Sequence, residues 1–321
     1  MLSALYSIAK NTFVETLRQP VYAVIIVAAL LLFILAPSIT MYTLDEDVKL
    51  LRELGLSTLF LAGLFIAVFS ATGAVTEEIE SKTITTVLSK PVARPVFIIG
   101  KFLGVAAAVA LAHYLGTLAY ILAARFGVLE RASDEPDMPV IIAAVVILLL
   151  SLLISAYLNY NYDWNLPATA IVIAAILASF AVVLLSFVDK EWHVGPFAGQ
   201  FNPFDISASL LLLFGILILV ALAVLFSTRM NVILTLTCCV AVFLLGLISD
   251  WLYGQFAARF LWAKIAANLL PNMQVFWVSD AIYETGKVPV AYLWKGLCYS
   301  ASYTTAILAL AVAFFQRRQV G

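Results

Sequence analysis

Apolar residues run along this chain in long blocks, not in the 3.6-residue stripe of a soluble helix or the alternation of a half-buried strand. Eight such blocks stand out, at 21–40, 55–75, 98–123, 140–158, 167–188, 206–227, 231–249 and 291–314, each at least 19 residues long. About 20 apolar residues in helical form cross the roughly 30 Å of hydrocarbon in a bilayer. Lipid offers the backbone no hydrogen-bond partners, so uncharged runs without strict alternation predict helices and not barrel strands. The fold class expected is therefore all-α: a polytopic helical membrane protein of about eight transmembrane helices. The connection between the fourth and fifth blocks is only NYNYDWNLP, and Arg229 and Asn231 mark a tight turn between the sixth and seventh.

Two amphipathic stretches flank or interrupt the blocks. In residues 1–20, Leu2, Leu5, Ile8, Ala9 and Phe13 fall roughly on one side, with Lys10, Glu15 and Arg18 elsewhere. That layout is unlike a signal peptide and predicts an interfacial helix ahead of a membrane domain over 21–321. Residues 250–290 contain GQFAARFLWAKIAANLLPN, whose Phe256, Phe260, Ile265 and Leu269 oppose Gln255, Arg259 and Lys264. This extracytoplasmic segment either lies flat at the surface or dips partway into the membrane.

Composition narrows the class further. The chain is 64 % hydrophobic and 12 % charged, with a mean hydropathy of +1.06, where a soluble domain carries about 25 % charged residues. The net charge of -1 says nothing about nucleic acid, but no basic patch with interleaved aromatics points to it, so no nucleic-acid partner is expected and membrane lipid is the expected surroundings. Cys238, Cys239 and Cys298 have neither a disulfide framework nor zinc-site spacing and read as packing residues.

One polar run breaks the pattern. Between the second and third blocks the chain reads EEIESKTITTVLSKPVARPVFIIGK over 77–101. Glu77, Glu78 and Glu80 look like the acidic first turn of a short helix, and Ile79, Ile84, Val87 and Leu88 give it an apolar side. Pro91 stops that helix, and Pro95 sits where a following one can begin. The expected structure is a firm elbow over 77–97, suited to being pushed by a soluble partner. A plain solvated loop explains the charge but not the order of acids, apolar stripe and paired prolines.

The elements Glu77, Glu78, Glu80, Thr83, Leu88, Ser89, Pro91, Arg94, Gly100 and Lys101 resemble the cytoplasmic motif that follows the second membrane helix in ABC-2 type transporter permeases. Ser81 and Lys82 stand where the family commonly has a glycine before the threonine. The resemblance extends to TFVETLRQP near the N-terminus, to LPN at 270–272 and to the terminal RR. It implies a permease working as a dimer, with a second copy or a related chain, and with two cytoplasmic P-loop ATPase subunits. The elbow, through Glu77, Glu78, Glu80, Thr83, Leu88, Pro91, Arg94 and Pro95, then acts as the coupling helix. Many members have six spans, so the pair near 140–188 is an addition to six. ATP and Mg2+ belong to the partner; no cofactor or metal is expected on this chain. In agreement, no G-x-x-x-x-G-K-[ST] loop occurs, and IIGKF at 98–102 lacks both the first glycine and the hydroxyl residue.

The positive-charge count is nearly even, nine on one side and eight on the other, and the clustering at 77–101 and in QRRQ tips both termini to the cytoplasm of a cell (inner) membrane. Within the blocks the one ionisable side chain well inside is His113, which reads as a structural hydrogen bond or, less simply, as part of an ion route. Asp163 and Asn165, in the fourth connection, are candidates for a second ATPase contact or for ordinary capping. His193 lacks a helix-borne partner, so no hydrolase constellation can be assembled and no catalytic residue is expected. Export is the direction the resemblance implies. The alternatives are a secondary transporter or channel, which needs a discontinuous helix with polar groups at mid-membrane or a second buried charge, and a non-transporting anchor or signalling subunit.

Overall fold

The computed structural model describes residues 2–40, 47–80, 93–128, 135–195, 201–249, 251, 255, 260–261, 269–278 and 288–316, with the side chains of 76–80 excepted. Nine α-helices are defined there: α1 Leu2–Arg18, α2 Pro20–Thr40, α3 Asp47–Glu80, α4 Arg94–Phe126, α5 Met138–Tyr162, α6 Leu166–Leu185, α7 Pro203–Ser227, α8 Val232–Leu247 and α9 Val290–Gln316. A single 3₁₀ turn covers Gln274–Phe276, and no sheet forms among the described residues. The chain is an all-α, multi-pass membrane protein by the length and composition of its helices.

Seven of these helices, α2 to α7 and α9, are long and apolar enough to cross a bilayer. The expected count of eight is thereby adjusted. The 231–249 block forms α8, whose 16 residues reach only about 24 Å at 1.5 Å per residue, short of the hydrocarbon thickness.

The helices overrun the apolar blocks most clearly in α3 and α4, of 34 and 33 residues. Residues 47–54 read DVKLLREL, rich in helix formers, and they lengthen α3 at its start. At its other end no proline or glycine lies between Gly73 and Glu80, and the helix continues through Glu80. Glu77, Glu78 and Glu80 thus occupy the last turn of α3, not the first turn of a new helix. Thr83, Leu88 and Pro91 lie outside the described residues, as do most of 250–290 and the terminal arginines.

The chain divides into two compact units, with α1, α3, α4 and α7 contributing to both. The first comprises 1–16, 64–108 and 210–321. In it α1 lies against the start of α4, where a side chain on Gly104 would come within 2.6 Å of the Ala9 carbonyl oxygen, so only hydrogen fits. Phe97 and Phe315, both buried, stack with centroids 5.6 Å apart and join α4 to the end of α9.

The second unit comprises 17–63 and 109–209. Leu122, Val140 and Leu185 form a small core there, with Phe126, Ala143, Ile147, Val182 and Phe201 packed around it. Helices α5 and α6 make a hairpin. Asp163 ends α5 in the left-handed region at φ 54°, a conformation that aspartate tolerates better than most residues, and its N–H donates to the Asn159 carbonyl at 3.1 Å. Two residues later Asn165 caps α6, its side-chain oxygen accepting from Ala168 N at 3.1 Å, and Pro167 follows in the first turn.

Candidate functional site

Charged side chains inside a membrane bundle are costly and are the first place to look for function. The second unit holds two charged centres, each built on one arginine.

The first centre joins α3, α4 and α7. Gly55 of α3 lets the Tyr120 ring of α4 rest against the helix backbone; a methyl group there would stand 2.3 Å from two ring carbons. Phe33 of α2 packs on the same ring in a tilted arrangement, centroids 6.3 Å apart. So placed, the buried Tyr120 hydroxyl donates to Asp205 Oδ1 at 2.9 Å. Asp205 lies in the first turn of α7, and the same oxygen pairs with Arg52 Nε at 3.2 Å. The Arg52 guanidinium carbon is 6.0 Å from the centroid of the Phe204 ring, within range of a cation–π contact.

One turn deeper, the polar contact between α4 and α7 continues. His113, Thr117 and Tyr120 fall on one face of α4, and Asp205 and Ser209 on one face of α7. Thr117 Oγ1 donates to the His113 carbonyl at 2.7 Å and lies 2.5 Å from Ser209 Oγ. His113 Nε2 lies 2.9 Å from the Ser209 carbonyl oxygen and 3.0 Å from its hydroxyl. Because a carbonyl only accepts, Nε2 carries the proton, and the neutral ring's bare nitrogen is Nδ1. Nδ1 is buried without a hydrogen-bond partner among the described residues. An unmet buried polar atom of this kind costs about 1–3 kcal/mol, so His113 is not an optimally satisfied core residue. Nearby, Tyr114 shares a hydrogen bond with Ser179 of α6 at 2.7 Å.

The second centre is Arg125, near the end of α4. Its Nε pairs with Asp137 Oδ2 at 3.1 Å, Nη1 donates to the Leu185 carbonyl, and Nη2 donates to the Val188 carbonyl at 2.8 Å. The Phe201 ring centroid is 5.3 Å from the guanidinium carbon. Asp137 in turn caps α5, accepting from Val140 N at 3.2 Å. One arginine thereby holds the end of α4, the start of α5 and the end of α6.

No protein-family model matches the chain, and no curated protein matches it.

The residues singled out from the sequence are distributed unevenly. Arg94 and Pro95 open α4, with the Ala93 carbonyl accepting from Val96 N at 2.9 Å. Arg94 Nη1 donates to the Gln316 carbonyl at 2.6 Å, and Arg229 Nη2 donates to the Phe314 carbonyl at 3.2 Å. Both guanidinium groups cover the last carbonyls of α9, where cations suit the helix dipole. Lys101, from the same motif, is buried with its Nζ 5.7 Å from the Phe97 ring centroid. Asp163 and Asn165 sit together at the α5–α6 turn as its two caps.

Sequence reasoning missed Arg52, Tyr120 and Asp205. Arg52 precedes the expected 55–75 span by three residues and Asp205 precedes the 206–227 span by one, so both read as solvated end charges. The available signal was Phe204 beside Asp205 and Gly55 three residues after Arg52, the first a ring for the guanidinium and the second room for the Tyr120 ring. Among the described residues no group of His, Cys, Asp and Glu could hold a metal ion.

Proposed function

We propose that this chain is the transmembrane permease subunit of an ATP-driven ABC transporter of the ABC-2 type, working as an exporter. A separate cytoplasmic P-loop ATPase, in two copies, hydrolyses ATP, and a second permease copy or a related chain completes the membrane unit. The observation that carries this reading is the ordered motif from Glu77 to Lys101, whose ends lie in the long helices α3 and α4. At about 1.5 Å per residue each helix is near 50 Å long, well beyond the hydrocarbon thickness. Arg94 supports the reading further: it begins α4 and also holds the end of α9, which gives a push on the elbow a rigid path into a second helix.

In this scheme ATPase closure favours one arrangement of the bundle over another. A preference of about 5.5 kcal/mol reverses a 99:1 bias. Both termini face the cytoplasm. Isolation of the full chain from native membranes in mild detergent tests the proposal directly: a P-loop ATPase is expected at 1:1 stoichiometry. Recovery of the chain free of any ATPase, with Lys82 or Lys90 labelled from outside intact cells, overturns it.

A secondary transporter is the second reading, favoured by one specific observation. It requires a buried charge in addition to His113, and Asp205 supplies one, 4 % exposed and linked through Tyr120 to the same face of α4. Purified chain that moves a proton or other ion across vesicles without ATPase would establish it.

A further inference from the structure

We infer that Arg52 is the receptor for an anionic oxygen group, a phosphate or carboxylate, that it takes up in exchange for Asp205. The inference goes beyond the transport readings and holds under either. A guanidinium carries five N–H donors in a planar fork. Arg52 engages its one charged partner through Nε, and Nη1 and Nη2 have no acceptor among the described residues. Its side chain is nevertheless only 19 % exposed, so most of the group is removed from water. Arg125, in the same unit, has all three nitrogens occupied and a side chain 5 % exposed. A mostly enclosed guanidinium whose two terminal nitrogens meet no acceptor among the described residues keeps the fork that bidentate binding of a carboxylate or phosphate uses.

Asp205 is positioned to release Arg52. Its Oδ1 accepts from the Tyr120 hydroxyl at 2.9 Å, and that hydroxyl is fixed by the packing of the ring against Gly55. When Arg52 turns to an incoming oxyanion, Asp205 keeps a hydrogen bond of its own. The exchange swaps one ion pair for another and leaves no buried charge without a polar partner. The buried Phe204 ring, 6.0 Å from the guanidinium carbon, backs the arginine from the protein side.

The ligand chemistry has two sources, the phosphate of a bilayer lipid and an anion arriving from water. The test uses the purified full chain and its variants, exposed to equimolar phosphatidylglycerol and phosphatidylcholine micelles, with bound lipid counted by native mass spectrometry. Wild type is expected to prefer the anionic lipid, and Arg52→Gln to lower that preference about fivefold, the equilibrium equivalent of one basic residue at an anionic surface. Arg52→Lys retains a point charge without the fork and falls between the two. Asp205→Asn removes the internal competitor and is expected to raise the preference, the opposite of what loss of a merely structural ion pair would do. Should Arg52→Gln fail to fold, Asp205→Asn carries the test alone. Displacement of the lipid by inorganic phosphate assigns the site to ligands from water, and resistance to it assigns the site to lipid headgroups; both support the inference. Equal preference in wild type and Arg52→Gln, or a reduced preference in Asp205→Asn, overturns it.

Discussion

Arg125 and Arg52 are both arginines near helix ends of the same unit, each paired with an aspartate and each set against a phenylalanine ring. They differ in what remains undone. Arg125 meets a carboxylate and two backbone carbonyls, and Asp137 spends its other oxygen capping α5. Arg52 meets one carboxylate oxygen that is shared with Tyr120. A saturated charge pair has one low-energy arrangement and so fixes structure, whereas a pair with open donors and a second partner in reserve has two. The contrast separates a fastening from a site, and it does so by hydrogen-bond accounting instead of by charge alone.

The largest effect is expected at the fastening. Arg125→Ala leaves Asp137, whose side chain is fully enclosed, as a charge with no cation and removes one donor from each of two carbonyls. Breaking a buried pair in this way costs about 3–5 kcal/mol. The thermal unfolding midpoint in detergent should fall sharply, and Arg125→Met with Asp137→Ala should recover part of the loss because no orphan charge remains. If Arg125→Ala unfolds no more easily than Arg52→Gln, the distinction between the two centres fails.

A smaller effect is expected from Gly55→Ala. The added methyl group meets the Tyr120 ring at 2.3 Å, and overpacking of this kind costs about 1–3 kcal/mol. The more telling readout is positional. A displaced ring carries its hydroxyl away from Asp205, so Gly55→Ala should change anionic-lipid preference as well as stability, while Tyr120→Phe, which leaves the ring seated, should lose about 1 kcal/mol from the missing hydrogen bond. Equal lipid preference in wild type, Gly55→Ala and Tyr120→Phe would detach Tyr120 from the Arg52 site.

The fold was largely legible because the signal for a membrane span is local. Seven of the eight blocks became long apolar helices with ends displaced by a few residues, and the caps Asp163 and Asn165 stand where the short NYNYDWNLP connection placed the turn. The extent of α3 was not legible. The apolar residues of 47–54 are interspersed with charges and 76–80 is mostly acidic, so neither stretch reads as part of a span, and the acids at 77, 78 and 80 read as a beginning when they are an end. The Arg52 centre was hidden for a different reason. Its three side chains are separated by 68 and 85 positions in sequence, and each alone looks like an ordinary end-of-span residue; only tertiary packing brings them onto one oxygen atom. His113 was visible as an oddity, but its unpartnered Nδ1 depends on which atoms of α7 face it.

The smallest expected effect concerns the rim of the fastening. After α6 the chain turns back through residues 187–195, where Gly195 N donates to the Phe187 carbonyl at 2.9 Å and Val188 bridges to Val194. Asp189 Oδ1 accepts from Glu191 N at 2.7 Å and from His193 N at 3.2 Å, and Trp192 is held at φ 63°. Slight desolvation acts to raise the Asp189 pKa, but the two backbone donors and the neighbouring His193 outweigh it and hold the carboxyl below its ordinary value. A carboxyl depressed on folding contributes stability above its unfolded pKa and loses it as pH falls through the folded value. The turn also presents the Val188 carbonyl to Arg125, so loosening it reaches the fastening at one of three contacts only. Asp189→Ala should therefore lower the unfolding midpoint slightly at neutral pH, and the gap from wild type should close as pH falls below the ordinary carboxylate value of about 4. A gap that persists unchanged to lower pH would show that the carboxylate's charge plays no part in holding the turn, and that Arg125 is fastened to the backbone independently of it.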